Sequence, residues 1–459
     1  MIARTIATIA VALVAIGLGL AAALRPPGAP PPARGFELVD VTLIEPGRSR
    51  RPGVTVKGSA RIDSIEPTAV REAVAERFVL PGLIDLHVHH PPALPPGERG
   101  LFALLFLAHG VTSVRDAGTF VGSLAGHAEE IARGDRPGPR TFRCGRVLEQ
   151  APPTWPGARV VADVEDARAA VAAEALAGAD CIKTYNQLSP LVIAAVASAA
   201  RRHGLPHVAH VPWDLSARRL PGAEIQHLMG LTLDWTRVTP RAIEAYVTDS
   251  RYAGLTHTPT LVSFARAARL GDLPRLREEP RAALLPRHYR ELLWDPARNP
   301  RVRSLSPEDG SGAVERVAAM KLAVEALHAA GVPILAGTDT PNAFVVPGAA
   351  LQEELGHLVD AGLAPEEALA AATWRAGEAL GRTELGRLVE GAPADLLVFG
   401  ADPTRDLAAL ASLEAVVADG RVYSRAALDA AVRRHLEHAD GWLPRTVSLL
   451  AARAALRFF

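Results

Sequence analysis

Brief apolar runs alternate with longer alanine-rich stretches over most of this chain. The runs at residues 83–89, 111–116, 141–148, 180–185, 207–211, 225–229, 256–261 and 333–339 have the length of buried strands. The stretches at 166–177, 190–203, 311–330 and 351–361 read as ordinary helices. Gly178, Gly204, Gly331 and Gly362 lie just after them, where helix C-termini favour glycine. Eight strand–helix repeats predict an α/β fold, a TIM-like (β/α)8 barrel over residues 81–385. Residues 36–80 and 386–425 read as short strands with turns, and predict a small β-sandwich domain built from both flanks of the barrel. Residues 426–459 form a helical extension.

The two ends carry a different pattern. Arg4 precedes an uncharged apolar run at residues 5–24, and a Pro-rich linker follows at 25–35. Twenty residues suffice to span a bilayer. Residues 1–24 therefore read as a signal peptide or as an uncleaved membrane anchor, and either way the globular part is exported, periplasmic or extracellular. At the other end, residues 441–459 contain no acid. Val447, Leu450, Ala454 and Phe458 recur on one helical stripe, and Arg445, Arg453 and Arg457 share another. That helix packs on the barrel or a partner subunit, or it lies on the membrane that the N-terminal run reaches.

Composition narrows the classes. The 459 residues are 49% hydrophobic with zero formal net charge, so no basic field favours nucleic acid. Cys144 and Cys181 are the only cysteines. They make no disulfide framework and no Cys-rich zinc module, and Cys181 is expected to fill a deeper barrel layer. Lys57, Lys183 and Lys321 are the only lysines among 50 basic residues. A retained lysine suggests chemistry that needs an amine able to lose its proton, which arginine cannot supply.

Barrel active sites sit at the C-terminal ends of the strands. The first run ends in His87 and His89, which alternation places on one face, where two imidazoles can chelate a metal. Later runs end in Lys183, His210, His227 and Asp339. Several N and O donors converging in one place is what a catalytic metal requires. His90 and His207 should face away by alternation, and Asp116 ends the second strand. Tyr185, Asn186, Trp213, Trp235, Pro341 and Asn342 follow the strands and are pocket candidates, as is His257 on strand seven.

These motifs resemble the amidohydrolase superfamily, in the branch of imidazolonepropionases and metallo-dipeptidases. The resemblance runs from Phe36 to Tyr423. It rests on Pro-Gly-Leu-Ile-Asp-Leu-His-Val-His from Pro81, Gly-Val-Thr-Ser-Val-Arg-Asp-Ala-Gly from Gly110, the Lys183 strand, His210, His227 and Gly-Thr-Asp from Gly337. It implies two divalent ions, zinc by donor type. His87, His89 and Asp339 would hold one, His210 and His227 the other, with a carbamylated Lys183 bridging them. It further implies hydrolysis of an amide-type C–N bond through a metal-bridged hydroxide, with Asp339 as proton shuttle. Gln226 stands where the family commonly has Glu, Arg375 replaces an Asn, and residues 36–78 match poorly.

The substrate class implied is a small-molecule amide or a short peptide. A dipeptidase of Xaa-Pro type and a lactone or ester hydrolase are the alternatives within hydrolysis, and a non-catalytic barrel scaffold is the alternative outside it. A homo-oligomer is left open.

Overall fold

The computed structural model describes residues 22–28, 31–68, 76–93, 97–118, 124–155, 157–213, 215–231, 238–305 and 311–457. The flanks of the chain meet in one sheet. From the N-terminal side come β1 (Phe36–Glu45), β2 (Ser49–Gly58), β3 (Ile62–Pro67) and β4 (Arg77–Pro81). The barrel strands follow as β5 (Leu83–Val88), β6 (Val111–Asp116), β7 (Arg140–Arg143), β8 (Leu148–Glu149), β9 (Arg159–Val160), β10 (Ile182–Thr184), β11 (His207–Ala209), β12 (Glu224–Gln226) and β13 (Thr256–Thr258). β14 (Leu396–Phe399), β15 (Leu413–Ala418) and β16 (Arg421–Ser424) return to the small domain.

The small domain has the order β16-β15-β14-β4-β1-β2-β3, a single seven-stranded sheet rather than the two layers of a sandwich. The sheet curls on itself. Ile62 N–H donates to Ala392 O (2.9 Å) and Ala394 N–H to Ala60 O (3.1 Å), which brings the β3 edge back to the approach of β14. Its inner face closes on Phe36, Val41, Val56, Val79, Leu396 and Val417. β4 runs through Gly82 directly into β5, so the small domain fixes where the first barrel strand begins.

The parallel strands form two sheets, β5-β6-β7 and β13-β12-β11-β10-β8-β9. The expected strand at 141–148 is split between them, broken at Gly145, which has φ 68°. Asp180 N–H donates to Arg143 O (2.7 Å) across this break. On the other side, residues 333–340 form no continuous ladder but bond to both sheets. Leu335 N–H donates to His257 O (2.8 Å), and Leu86 N–H to Ala336 O (3.1 Å). Asp85 adds a side-chain clasp there, accepting from Thr338 Oγ1 (2.7 Å).

Cys144 and Cys181 correct the expectation of isolated cysteines. They are disulfide-bonded, with Cα atoms 4.3 Å apart, in a small buried cluster with Val208. The pairing spans 37 residues of sequence and exists because the exit of β7 lies beside β10. The helices are capped as their sequences suggest. Asp163 accepts from Glu165 and Asp166 N–H ahead of helix Val164–Leu176, and Ser189 caps Pro190–Arg202. Gly178, Gly204, Gly331 and Gly362 all have left-handed φ. No helix among the described residues is long and apolar enough to cross a membrane, and residues 5–21 of the N-terminal run lie outside them.

The β15–β16 turn ties both flanks together. Asp419 (φ 51°) and Gly420 (φ 72°) give it the left-handed backbone of a two-residue hairpin. A Cβ on Gly420 would lie 1.6 Å from Ser59 O, whereas one on Gly254 (φ 59°) would meet nothing within 4 Å. Gly420→Ala is therefore expected to destabilise the protein by about 3 kcal/mol or more, and Gly254→Ala by about 1 kcal/mol. Urea denaturation checks this, and equal losses would contradict the role given to the turn.

Candidate metal centre

Five of the six ligand candidates contact one another in one largely buried group. His87 lies within β5 and His89 just after it. Their Nε2 atoms stand 3.4 and 3.3 Å from Asp339 Oδ1. His227 Nε2 stands 3.9 Å from Asp339 Oδ2. The His210 ring lies 4.9 Å from that of His227 and at right angles to it. His87, His227 and Asp339 offer ligand atoms that all lie within 4.8 Å of one another. The sixth candidate, Lys183, is buried on β10. Its Nζ has no hydrogen-bond partner among the described residues, and burial draws its pKa down to about 7.

The imidazole tautomers follow from the partners. His87 Nδ1 lies 2.5 Å from Gln226 Oε1, and the Gln226 amide is oriented because its Nε2 donates to Glu224 Oε1 (2.9 Å). His89 Nδ1 faces the Gly118 carbonyl (3.0 Å), and His210 Nδ1 faces Asn186 Oδ1 (2.9 Å). His227 Nδ1 faces Thr260 Oγ1 (2.6 Å), whose own proton goes to Pro259 O (2.8 Å). Each partner must accept, so each Nδ1 carries the proton and each Nε2 keeps its lone pair. This is how metal-binding imidazoles are oriented by their outer partners.

The electrostatics agree. Burial, then the nearby Lys183 amine, holds His87 and His210 well below the ordinary histidine pKa. Burial draws His227 down to about 3. Neutral imidazoles are what a metal needs. Burial alone would raise the Asp339 carboxyl, but the facing His227 and His89 hold it below its ordinary value. Asn342 Nδ2 donates to Asp339 Oδ2 (2.7 Å).

Backbone strain gathers here. Among the described residues outside glycine, φ is positive at His227 (58°), Leu228 (53°), Thr260 (52°) and Asp339 (62°), and at three positions elsewhere. His227 thus lies past the end of β12, which stops at Gln226 rather than running on to Met229 as the apolar run suggested. Gly337 lets Asp339 approach. A Cβ there would sit 2.9 Å from His87 Cβ and 2.6 Å from Thr258 Cγ2.

The pocket candidates separate. Tyr185 stacks on His210 with ring centroids 4.1 Å apart, and Asn186 holds that same histidine. His257 is turned away toward helix Pro240–Ala253, where Ser250 Oγ lies 3.0 Å from its Nε2. Trp213 is exposed and makes no ring contact with the histidines among the described residues. Trp235 lies outside those residues. His90 sits on Asp116 (3.0 Å), and His207 Nε2 on Thr184 Oγ1 (2.9 Å), both outside the ligand group. Sequence reasoning missed Trp155, 4.8 Å from His89 by ring centroid, and Phe264, 5.9 Å from His227. Arg301 lies over the Trp155 ring and Arg316 over Phe264. These residues come from irregular segments or helices and carry no periodic signal.

Beneath the site, Arg115 of β6 and Glu224 of β12 form a fully buried bidentate pair that joins the two parallel sheets. Glu224 also accepts from Thr258 Oγ1 (2.6 Å) and the Gln226 amide. A carboxylate at 226 would face Glu224, whereas the amide of Gln226 bridges from Glu224 to His87. Arg115→Met should cost about 3–5 kcal/mol, because Glu224 is left buried without its countercharge. Arg115→Met with Glu224→Gln should cost less than the two single changes summed. A double-mutant cycle in urea reads this, and additive losses would contradict the coupling.

The amidohydrolase family model matches residues 78–423. An uncharacterized protein of Mycobacterium tuberculosis is 28% identical over 382 residues, covering 78% of this chain and 89% of that protein. Among solved structures, a candidate prolidase from Bifidobacterium longum is 25% identical with TM-score 0.67, covering 88% of this chain and 100% of that one. A bottromycin amidohydrolase is 26% identical with TM-score 0.71, covering 92% and 94%. With the family model spanning most of its length, this chain belongs to the amidohydrolase family.

Proposed function

We propose that this protein is an exported metal-dependent hydrolase that cleaves an amide-type C–N bond in a short peptide or acylated amino acid. The observation that carries the reading is the convergence of three Nε2 lone pairs on the Asp339 carboxylate, with His210 beside His227 and every Nδ1 tied to an outer acceptor. The donor set fits two divalent ions, and zinc suits its imidazole and carboxylate character. His87, His89 and Asp339 would hold one ion, and His210 and His227 the other. The Lys183 amine, buried with a pKa near 7 and without a hydrogen-bond partner among the described residues, suits addition to carbon dioxide with loss of a proton, and the resulting carbamate would be a further anionic ligand. When bound, such ions acidify a water and polarise a carbonyl.

The chain's own residues supply the rest. Asp339 is a carboxylate in contact range of three imidazoles, so it can take a proton from the attacking water and return it to the departing nitrogen. Asn342 anchors Oδ2, which leaves Oδ1 toward His87 and His89. Trp155 and Tyr185, 5.5 Å apart by ring centroid, form an aromatic wall beside His89 and His210. The prolidase and bottromycin amidohydrolase likenesses support a peptide-like substrate. The uncharged run at residues 5–24 and the Cys144–Cys181 disulfide support export.

A panel of dipeptides, including prolyl dipeptides, and N-acyl amino acids tests the reading on full-length protein. Chelation should abolish turnover, and zinc should restore it. Turnover that survives complete chelation would contradict the reading. Lys183→Arg keeps the charge but cannot form a carbamate, and should lower turnover at least about a hundredfold. Asp339→Asn should fold and lose on the order of 10²–10⁴ in turnover. Full recovery of that variant with excess zinc would make Asp339 a ligand only.

A further inference from the structure

The C-terminal helix, Trp442–Ala455, buries the wrong residues for a packing helix. Its sequence suggests that Val447, Leu450 and Ala454 pack inward. Instead Ser448 and Ala452 are its buried positions, and Leu450 and Ala454 are exposed. Phe458 lies outside the described residues. Trp442 is 80% exposed and Leu450 60%. At 100° per residue, Trp442, Arg445, Leu450, Arg453, Ala454 and Arg457 fall on one side of the helix. Residues 441–459 contain no acid. The outward face therefore combines a tryptophan, a leucine and three arginines, which suits an interfacial helix on anionic lipid.

The helix that bears this face packs near the place where Pro26 of the linker rests. A Cβ on Gly97 would sit 2.9 Å from Pro26 Cβ, so the linker after residues 5–24 rests at the start of helix Glu98–Ala108. Glu98, the next residue, accepts from Tyr289 OH (3.0 Å). The C-terminal helix packs on the turn Tyr289–Leu293 and on helix Arg425–Asp440, which itself lies against Glu98–Ala108. Helix Arg425–Asp440 thus lies between the C-terminal helix and the helix at whose start the linker rests.

We infer that residues 442–457 form a second membrane contact, lying on anionic headgroups beside the bilayer entry of residues 5–24. The inference rests on those residues being retained as an anchor. Near such a surface each arginine favours the bound state roughly fivefold, and the three together about a hundredfold.

Both native cysteines are in the disulfide, so Leu450→Cys offers a single attachment point for a spin label on the full chain, and Trp442→Cys offers a second if the first variant melts early. In vesicles containing phosphatidylserine, the label should be shielded from a water-soluble nickel complex and reached by lipid-dissolved oxygen. Adding R445Q, R453Q and R457Q should abolish the shielding while the chain still co-sediments. A water-accessible label on a co-sedimenting chain overturns the surface contact alone. Failure to co-sediment overturns the anchor and the contact together. Equal shielding without lipid assigns the face to a second copy of the chain and overturns the lipid reading.

Discussion

An imidazole has two nitrogens, and in a buried site each needs a partner. That constraint organises the site. Each of the four central histidines spends Nδ1 on an acceptor supplied by another strand end. Gln226 at the end of β12 holds His87 of β5, and Gly118 after β6 holds His89. Asn186 after β10 holds His210, and Thr260 after β13 holds His227. The rings cannot rotate without leaving a buried N–H unpaired. Three lone pairs are thereby aimed at one carboxylate, with His210 beside them, before any ligand arrives, which is preorganisation in a form that can be checked atom by atom.

The same arrangement explains where the backbone is strained. A ligand that sits just past a strand end needs a sharp change of direction, and His227, Thr260 and Asp339 make it with left-handed φ. Those conformations persist because hydrogen bonds on both sides fix them. Gly337 removes the side chain that would push Asp339 away from His87. Deeper down, the Arg115–Glu224 pair spans the interior and carries the outer end of the Gln226 relay. The candidate ligands and the structural layer beneath them share one network of hydrogen bonds.

Much of this was legible in the sequence because strand periodicity is simple. A spacing of two put His87 and His89 together, and the ends of the later apolar runs marked Lys183, His210 and Asp339. His227 was found although it follows its strand, since the turn returns it to the site. What stayed hidden was non-local. The Cys144–Cys181 bond depends on which strands become neighbours, and the break at Gly145 decides that. Gln226 looked like a departure from its family, and only the facing Glu224 shows why an amide serves there. Arg115 belongs to the motif that starts at Gly110, but its partner lies 109 residues away. His257 shares the barrel with the ligands, yet its side chain faces outward to a helix, a distinction that a three-residue strand cannot encode.

The proposed hydrolysis depends on these converging donors holding metal. Elemental analysis of active, full-length protein after exhaustive dialysis tests this most directly. Two equivalents of a divalent transition metal per chain are expected, with turnover proportional to occupancy. Full turnover in protein that carries no such metal would contradict it.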